Sequence, residues 1–348
     1  MSASQAATST SQVAVAGFTV ERSTRASSAA ALFSVVLLLG AVSLPWWGGS
    51  ASMRNVVEIS CYFVFAMMWN LLAGYGGMVS IGQQAFFGLG GYFLLLLANK
   101  SGVNVFLSVP LAAVITALIA APTSQLVFRL QGGYFAIGTW VVAEVFRLAF
   151  ANVSALGGGS GMSLTAFAGI SKATREITTY WIALAAVLFA VSLVYGLLRS
   201  RFGLALTALR DSEIAAESQG IDVKTTKLIV YVLAALGAGL AGARYFLSNV
   251  RISPDAAFTV NWTAFTIFIV LIGGIGSIEG PIVGALIFWL LNKFFSDYGS
   301  WYLVGLGLMA IVVTIRFRKG LWGTLSARFD LHLFPIQRRV TIHEVSND

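Results

Sequence analysis

The sequence predicts an all-α integral membrane protein of about ten transmembrane helices, two of its apolar regions broken by glycines, with both termini in the cytoplasm. Three observations predict it. Of the 348 residues 57% are hydrophobic and only 10% charged, against about 25% charged in an ordinary soluble domain. The apolar residues fall in blocks long enough for a hydrocarbon core of about 30 Å, which takes about 20 helical residues. The basic residues gather on one side of those blocks, and in a membrane protein their position reports orientation.

Residues 1–28, rich in Ser, Ala and Thr with Arg22 and Arg25 near the end, are expected to be a disordered cytoplasmic lead-in. The run 29–44 ends in Pro45-Trp46-Trp47 and lacks a small-x-small cleavage pattern, so it reads as a retained first helix. Further spans are expected at 56–73, 84–98, 106–128, 134–150, 180–198, 228–247, 261–275, 282–295 and 302–317, giving a transmembrane domain over 29–317 and a cytoplasmic tail over 318–348. Ten crossings from an inner start put fourteen Lys and Arg inside and eight outside or at outer helix ends, which favours this orientation.

Several chemistries are excluded or disfavoured. The single cysteine, Cys61, lies in an apolar block and reads as a small buried hydrophobe, and both histidines, His332 and His343, fall in the tail. An intramembrane enzyme therefore has neither a histidine within the spans nor a base beside its thiol. The net charge of +8 reads as orientation signal, and no nucleic-acid partner is expected.

Two segments break the pattern of helix and short loop. Gly76-Gly77-Met78-Val79-Ser80-Ile81 and Gly273-Gly274-Ile275-Gly276-Ser277-Ile278 share Gly-Gly-x-x-Ser-Ile at an offset of 197 positions. Both are expected on the cytoplasmic side, between a descending and an ascending helix. Glycine-interrupted apolar segments point to a transport path, because irregular backbone at depth needs protein or a water-filled cavity to satisfy it. Close helix packing around a tight turn explains the same glycines.

The longest charged stretch between spans is the cytoplasmic loop 199–227. Within it 204–219 has good helix formers and no proline, Gly220 is placed as a stop, and Asp222 is placed to cap the next helix. Leu206, Leu209 and Ala216 share a face, and Glu213 and Glu217 form a same-sign i, i+4 pair that opposes an isolated helix. The helix is expected either to dock on a partner or to lie on the inner membrane surface.

The run Glu213-Ile214-Ala215-Ala216-Glu217-Ser218-Gln219-Gly220 resembles the Glu-Ala-Ala-x-x-x-Gly loop by which permease subunits of bacterial ABC importers engage their ATPases, with Ile214 in the glutamate position and the acid one step earlier. In its setting the variant is similar to that of branched-chain amino acid permeases. Other runs of the same family resemblance begin at Asn70, Ser80, Gly133, Gly157, Ser253 and Gly273, covering about 56–320. The resemblance implies a heteromeric importer: a second, related permease, two cytoplasmic ATPase subunits and a periplasmic binding protein, with membrane lipid around the bundle. It implies ATPase coupling through Arg210, Asp211, Glu213, Ala215, Ala216 and Gly220. No Gly-x-x-x-x-Gly-Lys-[Ser/Thr] phosphate loop occurs, so no cofactor is expected on this chain and ATP is expected to be used by the partners. The cargo implied is a branched-chain or other hydrophobic amino acid, with urea, short amides or another small metabolite as the alternative. An ion-driven carrier would also explain the broken helices, but it would not need the loop.

Asn70, Ser80, Gln83 and Gln84 around the first glycine segment, Ser277 in the second, and Glu144 are the candidate path residues; interhelical hydrogen bonding explains the amides and hydroxyls equally. Glu144 and Arg147, three apart, are expected to pair. Glu58 is expected to reach water at the outer end of its helix, Arg244 and Lys293 to snorkel to the outer interface, and Glu279 to sit in a solvated turn, with a gate as the alternative. Phe86, Phe87, Tyr92, Trp140 and Trp262 read as packing or interface anchors.

Overall fold

A computed structural model describes residues 17–21, 25–317, 319–329, 333–334 and 339–343. After strand β1 (Gly17–Glu21) come helices α1 (Arg25–Trp47), α2 (Ser50–Asn70), α3 (Gln84–Asn99), α4 (Ser108–Val127) and α5 (Gly133–Ala151). The two-residue strand β2 (Met162–Ser163) precedes α6 (Lys172–Arg199), α7 (Arg201–Asp211), α8 (Glu213–Ser218) and α9 (Val223–Asn249). Strand β3 (Arg251–Ile252) pairs with β2, and α10 (Pro254–Ala257), α11 (Asn261–Gly273), α12 (Glu279–Phe295), α13 (Ser300–Arg316) and α14 (Gly320–Phe329) follow.

Each of the ten expected spans is helical, but seven helical stretches among the described residues are long and apolar enough to cross a bilayer. For two of the three that fall short, α3 and α12, the cause is physical. The glycine segments cut into the helices beside them, leaving α3 with 16 residues and α12 with 17. The terminal segments also depart from expectation: β1 and β4 (Arg339–His343) form an antiparallel pair, so part of the lead-in and part of the tail meet as a two-stranded sheet.

The core is built around α9, which packs on α2, α3 and α4. Its small residues let backbones approach: a Cβ at Gly242 would stand 1.9 Å from the Phe87 carbonyl oxygen of α3, and one at Gly239 would press on Thr116 of α4. Small residues are how membrane helices gain close packing where lipid removes the hydrophobic drive. On the outside α13 presents Trp301, Val312 and Ile315, each more than half exposed. An apolar surface of this kind suits lipid and not water. Helix α1 leans on α6 through an edge contact of Trp46 with Trp181 and a 2.5 Å hydrogen bond donated by the Tyr180 hydroxyl to the Ala41 carbonyl.

Gly242→Ala is expected to force α3 from α9 and lower stability by about 1–3 kcal/mol, the usual cost of overpacking. Gly196→Ala on α6, with nothing within 4 Å of its Cβ, should be neutral. Thermal unfolding of the two purified variants checks the difference.

Candidate functional site

The site is assembled where α2 ends. Its last turn widens into a π-helical turn, Leu71–Tyr75, and irregular backbone follows until α3 begins at Gln84. A π turn inside an apolar helix frequently marks a functional position. Asn70, fully buried, reaches from this point to the second glycine segment between α11 and α12. Its Nδ2 donates to the Ser277 carbonyl at 2.8 Å, and its Oδ1 accepts from the Gly276 amide at 2.8 Å. Gly74 completes the contact: a Cβ there would lie 2.7 Å from the Gly276 nitrogen. The two glycine segments that resemble each other in sequence are therefore clasped together by one side-chain amide.

The remaining polar residues extend from the clasp. The Ser80 carbonyl accepts from Trp69 Nε1 at 2.8 Å, and the Ser80 hydroxyl accepts from the Gly82 amide. Thr139 of α5 caps the Ile81 amide at 3.2 Å, and Thr263 of α11 accepts from the Gln84 amide while its hydroxyl donates to Gln84 Oε1. Gln83 is 1% exposed, and among the described residues neither its side-chain amide atoms nor Gln84 Nε2 finds a partner. Ser277 serves its own turn, donating to the Gly274 carbonyl and accepting from the Gly280 amide. Glu144 stands apart on α5. It forms the expected pair with Arg147, Nη2 to Oε1 at 2.5 Å, and Arg147 also reaches Asp255 of α10 at 2.6 Å.

The cytoplasmic loop folds as two helices where one was expected. Ser212 takes extended backbone and its hydroxyl accepts from the Ala215 amide, so a local side-chain bond ends α7 and caps α8. Gly220 is the stop, at φ 83°. Asp222 caps α9 by accepting from the Thr225 amide at 3.0 Å and the Thr225 hydroxyl at 2.6 Å. Those bonds hold its carboxyl below the usual range, so its contribution is present at neutral pH and lost as pH falls through that lowered value. Leu206, Leu209 and Ala216 are buried, while Ile214 is 82% exposed beside exposed Asp211, Glu213, Ala215 and Glu217.

Beyond the packing of its buried leucines, two polar contacts among the described residues tie α7 and α8 to the helices around them. Arg210 lies on both glycine segments: its Nη1 donates to the Gly74 carbonyl at 3.5 Å, its Cα stands 3.3 Å from where a Gly77 Cβ would be, and Nη1 is 3.7 Å from that of Gly276. Glu213 of α8 pairs with Lys227 of α9 at 2.5 Å.

Four charged groups differ from or refine expectation. Arg244 does not snorkel; it is 1% exposed, on the same face of α9 as Gly237 and Ala241, which pack toward α2. That small-residue face was the signal for its burial. Glu279 is not in a solvated turn but 8% exposed, accepting from the Phe334 amide at 3.1 Å. Glu58 is exposed and accepts from Trp289 Nε1 at 3.3 Å, while Lys293 lies over the Trp289 ring. Of the aromatics, Phe86, Phe87, Tyr92 and Trp262 are buried packing residues and Trp140 is half exposed. Thr139 and Thr263 were missed; an isolated threonine in an apolar run carries no sequence signal for the backbone it caps.

Asn70→Ala leaves the Gly276 amide and the Ser277 carbonyl without partners, and each buried orphan costs about 1–3 kcal/mol. The variant is expected to unfold at a lower temperature than wild type by calorimetry, and the longer Asn70→Gln is not expected to restore it.

Comparison with known proteins agrees with this architecture. Residues 53–315 match the family described as branched-chain amino acid transport system / permease component. The high-affinity branched-chain amino acid transport system permease protein LivM of Salmonella typhimurium is 28% identical over 316 residues, covering 83% of this chain and 74% of that protein. The probable LivM of Methanocaldococcus jannaschii is 25% identical, covering 68% and 79%. The ribose import permease protein RbsC of Escherichia coli is 30% identical over 200 residues, 55% of this chain and 61% of its own. No solved structure matches the chain. With the family's pattern matched from α2 to the end of α13, this multi-pass membrane protein belongs to the family of branched-chain amino acid transport system permease components.

Proposed function

We propose that the chain is the translocating subunit of an ABC importer for branched-chain or other hydrophobic amino acids, crossing the inner membrane ten times with both termini inside. It pairs with a second, related permease, receives its cargo from a periplasmic binding protein, and is driven by two cytoplasmic ATPase subunits. ATP is used on those subunits, and this chain binds no cofactor of its own. The observation that carries the reading is the seating of Arg210, at the end of α7, on both glycine segments.

That seating supplies a mechanism. The exposed face of α8, with Ile214 amid Asp211, Glu213 and Glu217, offers an ATPase subunit one apolar contact ringed by acidic groups. A push there passes through Arg210 to the clasped segments and through Glu213 to Lys227 at the start of α9. Because α9 packs on α2, α3 and α4, both routes act on the same helices. Asn70, Ser80, Gln83 and Gln84 then border the path on the inner side, and Glu144 on the outer. The ribose import permease among the relatives supports a second reading, in which the same machine carries another small solute.

Purification of this chain from its host membrane is expected to recover ATPase subunits whose hydrolysis rises with binding protein and leucine across a solute panel. Recovery of no ATPase would overturn the proposal. Glu213→Ala combined with Gly220→Ala is expected to abolish uptake while the chain remains in the membrane, since a residue with a Cβ at φ 83° is strained by about 1–2 kcal/mol. Uptake unchanged in the double variant would remove the coupling role.

A further inference from the structure

Arg244 is the charge this fold leaves unexplained. It lies five residues before the end of α9, about 7.5 Å along the helix, in the half of the bundle away from the cytoplasmic loop. It is 1% exposed, and its Nε and Nη1 have no hydrogen-bond partner among the described residues. No ion pair to it occurs among the described residues. Its neighbour is the thiol of Cys61 on α2, a weak acceptor for a guanidinium. A buried cation held against a thiol is costly unless a counter-charge meets it during the working cycle. Arginine's planar fork suits a carboxylate in two-point contact.

The surroundings supply the rest of a recognition pattern. Glu58 precedes Cys61 by three residues on α2, which places their Cβ atoms about 5–6 Å apart. Among the described residues its hydrogen-bond donors are neutral, Trp289 at 3.3 Å and Asn292 at 3.5 Å. Tyr62, Tyr245 and Trp262 form one aromatic group beside Cys61 and Arg244, with Tyr245 and Trp262 rings 4.6 Å apart and Tyr62 and Trp262 rings 6.3 Å apart. A buried cation with no carboxylate partner among the described residues, a carboxylate held by neutral groups and an aromatic wall complement a zwitterion with an apolar side chain.

We infer that Arg244 binds the carboxylate of a hydrophobic α-amino acid at a site between α2 and α9, with Glu58 toward the ammonium group and Tyr62, Tyr245 and Trp262 around the side chain. The inference rests on the amino-acid reading of the transporter. Because Arg244 and Cys61 are both buried, substrate reaches the site only when α2 and α9 part.

Cys61 is the chain's single cysteine, so its labelling by N-ethylmaleimide in membranes holding the whole transporter reports on the site. Leucine is expected to slow labelling of wild type, and leucinol, which lacks the carboxylate, is not. In Arg244→Gln the leucine concentration giving half protection should rise about thirtyfold or more, as when one partner of a buried charge pair is removed, with Arg244→Lys in between. The site is overturned if leucinol protects as well as leucine, if Arg244→Gln is protected at the wild-type concentration, or if wild type takes up leucine without any protection of Cys61. The wild-type comparison of leucine with leucinol decides the matter even where the variants fold poorly. Absence of both leucine uptake and protection would instead remove the amino-acid reading, and the site with it.

Discussion

The side chain of Asn70 makes two 2.8 Å hydrogen bonds to the backbone of a segment more than 200 residues away, and most of what this bundle does depends on them. Glycine-broken backbone inside a membrane protein leaves amides and carbonyls that lipid cannot satisfy. The chain meets that constraint by letting its two broken segments satisfy each other through one buried amide, with Gly74 and Gly276 small enough for the backbones to touch. The arrangement is stable only as a pair. Neither segment can move far without exposing polar groups of the other, which makes them a joint that opens as a unit.

What sits on the joint follows from local chemistry in the loop. The Ser212 hydroxyl breaks the loop into α7 and α8, leaving Arg210, paired with Asp211 and partly exposed, against the glycines and Ile214 outward. Asp222 caps α9, and the pairing of Glu213 with Lys227 ties α8 to the first turn of that helix. The glycine face of α9 then transmits displacement to α3 backbone to backbone, at Gly242 against Phe87 and Gly239 against Gly90, and to α2 and α4 through the Met68 and Thr116 side chains packed on Gly237 and Gly239.

Much of the fold was legible in the sequence because apolar blocks of helical length have one outcome in a bilayer. The ten helical regions, the stop at Gly220, the cap at Asp222 and the pairing of Glu144 with Arg147 all followed from local rules. The path residues were legible as a cluster but not as a structure. Asn70 and Ser277 are 207 positions apart, and nothing in either neighbourhood says that the amide of one holds the backbone of the other. Arg244 and Glu279 were misplaced for the same reason: a charge near a helix end reaches water by default, and only the packing of α2 against α9, or of the Phe334 backbone against Glu279, shows otherwise. The break at Ser212 was hidden because helix propensity on either side of it is good.

The most direct test of the joint is hydrogen–deuterium exchange on the assembled transporter with and without a non-hydrolysable ATP analogue. Exchange is expected to change together at 210–220, 74–83 and 274–278 when the analogue binds. A change confined to 210–220, with both glycine segments exchanging as before, would contradict the account.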